Sequence, residues 1–103
     1  MSSLIDEIRH ESQRGLILSI LVDWQMEWMP LRELRAQMMR RLGDEVEESQ
    51  VKFHLRYLEQ NGYAEMKQLR AGRAEFDLTT VRATPRAVDL KEGRIAPDAG
   101  VAF

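Results

Sequence analysis

Between Ser49 and Tyr63 the chain reads SQVKFHLRYLEQNGY. Its polar side chains are of the kinds that grip a charged, hydrogen-bonding polymer. Gln50 carries a donor and an acceptor on one planar amide, the pair that meets an adenine edge in bidentate fashion. Lys52 and Arg56 can reach guanine or phosphate. Ser49 is short, lies near a helix start and can meet a phosphate there. Phe53 offers an apolar ring to a thymine methyl or to a protein partner. A second set of cations, Lys67, Arg70 and Arg73, comes shortly after, and Arg35 precedes the run together with Arg32, Arg40 and Arg41. Lys52 and Arg56 also fit an ordinary solvated face, paired with Glu48 and with Glu59 or Gln60.

These side chains share a surface only if the run is a helix. Val51, Leu55, Leu58 and Gly62 recur at helical spacing and define a narrow stripe to be buried. Ser49, Lys52, Phe53, Arg56 and Gln60 fall opposite it. The spacing predicts a helix from about 47 to 61, stopped by Gly62. After that glycine the period becomes two. Tyr63, Glu65, Lys67 and Leu69 alternate with Ala64, Met66 and Gln68, as in a half-buried strand. Arg70-Ala71-Gly72-Arg73 reads as a turn, and Ala74 to Val81 alternates again, with Phe76, Leu78 and Thr80 on one face. A hairpin is expected, its tip bracketed by Arg70 and Arg73.

Upstream, Ser2 or Ser3 can cap a long first helix, with Asp6 three residues after Ser3. Leu4, Ile5, Ile8, Leu16, Ile17, Ile20 and Leu21 carry it to about Trp24, and Gly15 permits a break near Gln13–Gly15. Trp24, Met26, Trp28 and Met29 then form an apolar patch, read as core plus a short strand, or as a dimer or partner surface. Pro30 suits the first turn of a second helix whose spacing is Leu31, Leu34, Met38 and Leu42, ended by Gly43. Val46 is expected to tuck between the second and third helices. Thr84 and Pro85 open a short last helix that Gly93 ends, with Val88 and Leu90 as contacts. Residues 94–103 are expected to run as a surface tail after a single domain over 1–93.

The order helix, short strand, helix, helix, strand, strand, helix resembles that of winged-helix proteins. The specific resemblance lies in Ser49, Gln50, Val51, His54, Leu55, Leu58, Glu59, Gly62 and Tyr63, and in the hairpin after them. In these residues the chain resembles ArsR-type and related bacterial winged-helix repressors. The ending VRATPRAVDLKEGRIAPDAGV resembles small winged-helix proteins of Mu-like prophages. The resemblance implies an α+β fold, a winged helix-turn-helix with a three-helix core, a C-terminal β-hairpin wing and a short last helix. It further implies a DNA-binding transcriptional regulator that reads the major groove with helix 47–61 and phosphates with the 64–81 wing.

Composition narrows the field. A chain of 103 residues with 44% hydrophobic residues makes one core. It has no cysteine, hence neither disulfide nor thiolate metal site, and its two histidines, His10 and His54, lie far apart in sequence. No apolar run approaches a membrane span, and Asp6 and Glu7 stand where a secretory signal would be basic, so a cytoplasmic protein is expected. No spacing of Asp, Glu or His looks catalytic, no glycine-rich phosphate loop is present, and neither cofactor nor enzymatic activity is expected.

Charge is the contrary sign. The net value is −2, whereas nucleic-acid binders are usually basic. Residues 25–43 carry Arg32, Arg35, Arg40 and Arg41 against Glu27 and Glu33, but 44–63 carry two cations against five acids. Asp44, Glu45, Glu47 and Glu48 favour the positive end of the third helix, yet they would also stand near phosphates in a complex. Against that charge, the resemblance and the free face of the third helix still make double-stranded DNA the expected partner, met by a homodimer joined through the first helix and the Trp24–Met29 region. The alternative is a winged-helix protein–protein interaction module that does not bind DNA.

Overall fold

The computed structural model describes residues 3–70 and 77–103, with the backbone alone at 69, 70 and 77. Helix α1, Leu4–Asp23, opens where the Ser3 hydroxyl accepts the Asp6 N–H at 3.2 Å. It runs unbroken through Gly15, so the break that the glycine allowed does not occur. The glycine serves a close approach instead. A Cβ there would stand 1.8 Å from the carbonyl oxygen of Ala102, which crosses the helix at this point.

Past Trp24 the chain reverses through Gln25 and Met26, both left-handed at φ 60° and 59°. It then enters β1, Met29–Pro30. Met29 is fully buried, while Trp24 and Met26 stay exposed. Helix α2, Leu31–Leu42, follows at once. Pro30 is its N-cap residue rather than its first helical one, and it also closes the two-residue edge strand; proline has no N–H to waste in either place. Gly43 ends α2 at φ 73°. Val46 is buried between the helices as expected, and α3 runs over Glu48–Gln60.

Gly62, at φ 79°, turns the chain into β2, Ala64–Arg70, which pairs antiparallel with β3, Asp77–Ala83. The register runs from Ala64 opposite Ala83 to Arg70 opposite Asp77. Met29 faces Val81, so the sheet order is β1-β3-β2. The expected turn at Arg70–Arg73 and the expected strand position of Phe76 involve residues 71–76, outside the described residues. Helix α4, Pro85–Lys91, begins at Thr84, whose hydroxyl accepts from the Ala87 N–H and donates to the Gly62 carbonyl at 2.6 Å.

The core lies where α1, α2 and α3 meet one face of the sheet. Ile17, Leu18, Leu21, Leu34, Met38, Val51, Leu55, Leu58 and Val81 are shielded from solvent entirely. Each such side chain contributes about 1.5–3 kcal/mol by burial. Residues 94–103 return along α1 and α3, with Val101 inserted at 8% exposure and the Ala102 N–H bonded to the Glu11 carbonyl at 3.0 Å.

Candidate nucleic-acid interface

Helix α3 is held by the stripe Val51, His54, Leu55 and Leu58, all fully buried. The spacing predicts Gly62 in that stripe and leaves His54 out of it. Gly62 is instead exposed beyond the helix end, and His54 takes the inner position. It is tolerated there because its Nε2 meets the Gln13 side-chain oxygen at 2.9 Å. An amide oxygen only accepts, so Nε2 carries the hydrogen. Nδ1 is buried without a partner among the described residues. Burial, then the charge of Arg14 and then that of His10, lower the His54 pKa from 6.5 to about 4. At neutral pH the ring is an uncharged strut between α1 and α3.

Opposite the stripe, Ser49, Phe53, Arg56 and Gln60 are exposed. Phe53 is 51% exposed, yet it is not loose. Its ring centre lies 5.7 Å from His10 and 5.3 Å from His54, edge to face, and the Arg14 guanidinium stands 5.8 Å away. Such contacts fix a ring at modest gain, about 0.5–1.5 kcal/mol each. Lys52 is half-buried, with its Nζ 3.4 Å from Glu48 one turn back. Arg56 makes no ion pair among the described residues.

A groove of about 360 Å³ separates α3 from the β2–β3 ribbon. Lys52, Arg56 and Glu59 line one wall, and Met66, Lys67, Gln68 and Thr79 the other. Three of the expected cations or contact residues, Lys52, Arg56 and Lys67, thus meet around one channel, next to the uncovered side of Phe53 and Ser49. Gln50 does not join them. It lies on the opposite flank of α3, in a cleft shared with Arg9, Ser12, Gln13 and the turn after α2. Arg35 is engaged elsewhere: its Nε donates to the Val46 carbonyl at 2.5 Å and braces the turn before α3. Arg70 ends β2, where only its backbone is described, and Arg73 lies outside the described residues. Asp44, Glu45, Glu47 and Glu48 are all exposed at the head of α3.

A second cluster had no sequence signal. Asp98 accepts hydrogen bonds from the hydroxyls of Tyr57, at 2.7 Å, and Tyr63, at 2.9 Å, and from the Gly100 N–H at 2.8 Å. Partial burial opposes ionisation of Asp98, but the Tyr57, Gly100 and Tyr63 bonds and the Arg14 charge outweigh it and hold the carboxyl below its usual range. Its bond raises the Tyr57 hydroxyl pKa, and burial followed by the same carboxylate raises that of Tyr63. Arg14 stands 4.0 Å over the Tyr57 ring and donates to the Gly100 carbonyl at 3.2 Å. Among the described residues, no group of three or more His, Asp or Glu side chains is placed to hold a metal ion.

No family model matches the chain, and no curated sequence does. Solved structures do. A transcriptional regulator from Clostridium thermocellum superposes with a TM-score of 0.64 at 22% identity, covering 91% of this chain and 84% of that one. Bacillus subtilis PadR, in complex with operator DNA, gives 0.61 at 16% identity over 84% of this chain and 47% of its own. The reduced form of the B. subtilis transcriptional regulator YodB gives 0.57 at 17% identity over 91% and 85%. At these identities the likeness is one of fold. Among the described residues, four helices and a three-stranded antiparallel sheet in this order make the chain a winged helix-turn-helix, the α+β fold that the resemblance to ArsR-type repressors implied.

Proposed function

We propose that the chain is a DNA-binding transcriptional regulator that lays α3 in the major groove of duplex DNA and rests the β2–β3 wing on phosphates. One observation carries this reading: Lys52 and Arg56 face Lys67 across a groove beside the uncovered face of α3. A reading helix places its N-terminal residues against base edges. Ser49 occupies that end on the uncovered face, with Gln50 on the flank toward α1, Phe53 and Arg56 follow one and two turns on, and Arg70 and Arg73 follow Lys67 in the sequence as further cations of the proposed contact. Arg35 serves by holding the turn that aims α3. PadR, which shares the fold, was solved with operator DNA. A homodimer is the natural unit, since two half-sites need two reading helices. Exposed Leu4, Ile5 and Ile8 on α1, with Trp24 and Met26 after it, offer apolar area for the contact.

The exposed acids at 44, 45, 47 and 48 favour a second reading, a winged helix that binds a protein and leaves DNA alone. Titrating a pool of random-sequence duplexes at rising salt separates the two. Regulation through DNA predicts affinity that falls steeply with salt, by a slope of about 0.9 per phosphate neutralised, and that drops further in Arg70→Ala/Arg73→Ala. Absence of binding even at low salt supports the protein-binding module.

A further inference from the structure

The Asp98 cluster has a position that the reading of α3 does not use. Tyr57 sits one turn before the end of α3, on the flank between its buried stripe and its uncovered face. Tyr63 lies past that end, where the chain passes into β2. A single carboxylate from the returning tail therefore grips the reading helix and the joint that leads to the wing. Arg14 adds α1 to the grip through the Gly100 carbonyl and the Tyr57 ring, and its reach to Phe53 touches the outward face of α3. The seat is tight: a Cβ on Gly100 would lie 2.1 Å from the Tyr57 hydroxyl.

We propose that Asp98 is a positioning residue that clasps α3 to the wing joint and fixes the angle between the two DNA-contacting elements. This deepens the regulator reading and rests on it. The tail touches no phosphate in this scheme. Loosening it must weaken binding without changing how many counterions binding releases, which is what separates a positioning role from a contact.

The test compares the full chain with Tyr57→Phe, Asp98→Asn and the double variant. A duplex is first selected by the unaltered protein from a random pool, and its affinity is then measured by fluorescence anisotropy across a salt series. Tyr57→Phe, which keeps the ring over Arg14 and leaves the Tyr63 bond in place, should fold and should bind roughly threefold to thirtyfold more weakly, with the salt slope unchanged. The double variant should bind no worse than Asp98→Asn alone. Unchanged affinity in a folded Tyr57→Phe, or a slope reduced as by a lost cation, overturns the proposal. Should the unaltered chain bind no DNA, the regulator reading fails on its own, and amide exchange then decides the clasp. Faster exchange confined to α3 and the following joint in Tyr57→Phe upholds it. Unchanged protection there, or a loss spread equally over α2, refutes it.

Discussion

His54 on α3 and Gln13 on α1, 41 residues apart in sequence, share a hydrogen bond of 2.9 Å inside the core. Buried polar pairs of this sort fix one arrangement of two helices, because any slip leaves both groups unsatisfied. The pair also makes the fold sensitive to acid.

His54 has a folded pKa of about 4 against 6.5 in its ordinary state. In that interval the unfolded chain takes up the proton more readily than the folded one, so stability must fall as pH drops. It is fully present above 6.5 and lost progressively toward 4, by on the order of 3 kcal/mol in all. Urea denaturation at steps across this window should show the slope, and His54→Leu should flatten it. Asp98, whose carboxyl is held low, adds a loss of the same sign at more acid pH. Constant stability through the window contradicts the neutral strut.

Gly15→Ala gives a sign test for the tail. On an isolated helix alanine is better than glycine by about 1 kcal/mol. Here the added Cβ would meet the Ala102 carbonyl, so the tail must lift and forfeit the Val101 burial and the Ala102–Glu11 bond. Those are worth about 2–4 kcal/mol together. Thermal unfolding should show net destabilisation, and proteolysis should cut the tail sooner. A rise in melting temperature contradicts the close approach.

Arg35→Lys keeps the charge and removes the planar N–H that reaches the Val46 carbonyl. Stability should fall by about 1 kcal/mol. Binding to DNA should weaken with an unchanged salt slope, since the turn before α3 loosens while the charge count stays the same. Unchanged stability and unchanged DNA affinity in Arg35→Lys would contradict the brace.

Periodicity carried the architecture. The switch from a helical to a two-residue period at Gly62, Ser3 and Thr84 as caps, Gly43 as a stop and Val46 as a plug are local signals, and each stands where expected. The uncovered face of α3 was legible for the same reason. What the spacing could not show depends on contacts distant in sequence. His54 is inside because Gln13 satisfies it, and nothing near His54 announces that partner. Arg35 looks like any surface cation until the Val46 carbonyl turns toward it. Gln50 and Lys52 are near neighbours in the chain, yet they line clefts on opposite flanks of α3. Asp98 sits in a polar, proline-containing tail that no period describes, and only the fold brings Tyr57 and Tyr63 to it.

The direct test of α3 as the reading element is Lys52→Ala/Arg56→Ala, with DNA affinity and thermal stability measured on the same preparation. Both side chains lie on the groove, and the ion pair of Lys52 with Glu48 is worth only about 0.3–0.5 kcal/mol. Melting should therefore stay nearly unchanged, while affinity for duplex DNA falls and the salt slope shrinks by up to about 0.9 for each phosphate contact removed. Undiminished affinity in the folded variant, or collapse of the fold, would contradict the claim that this face of α3 meets DNA.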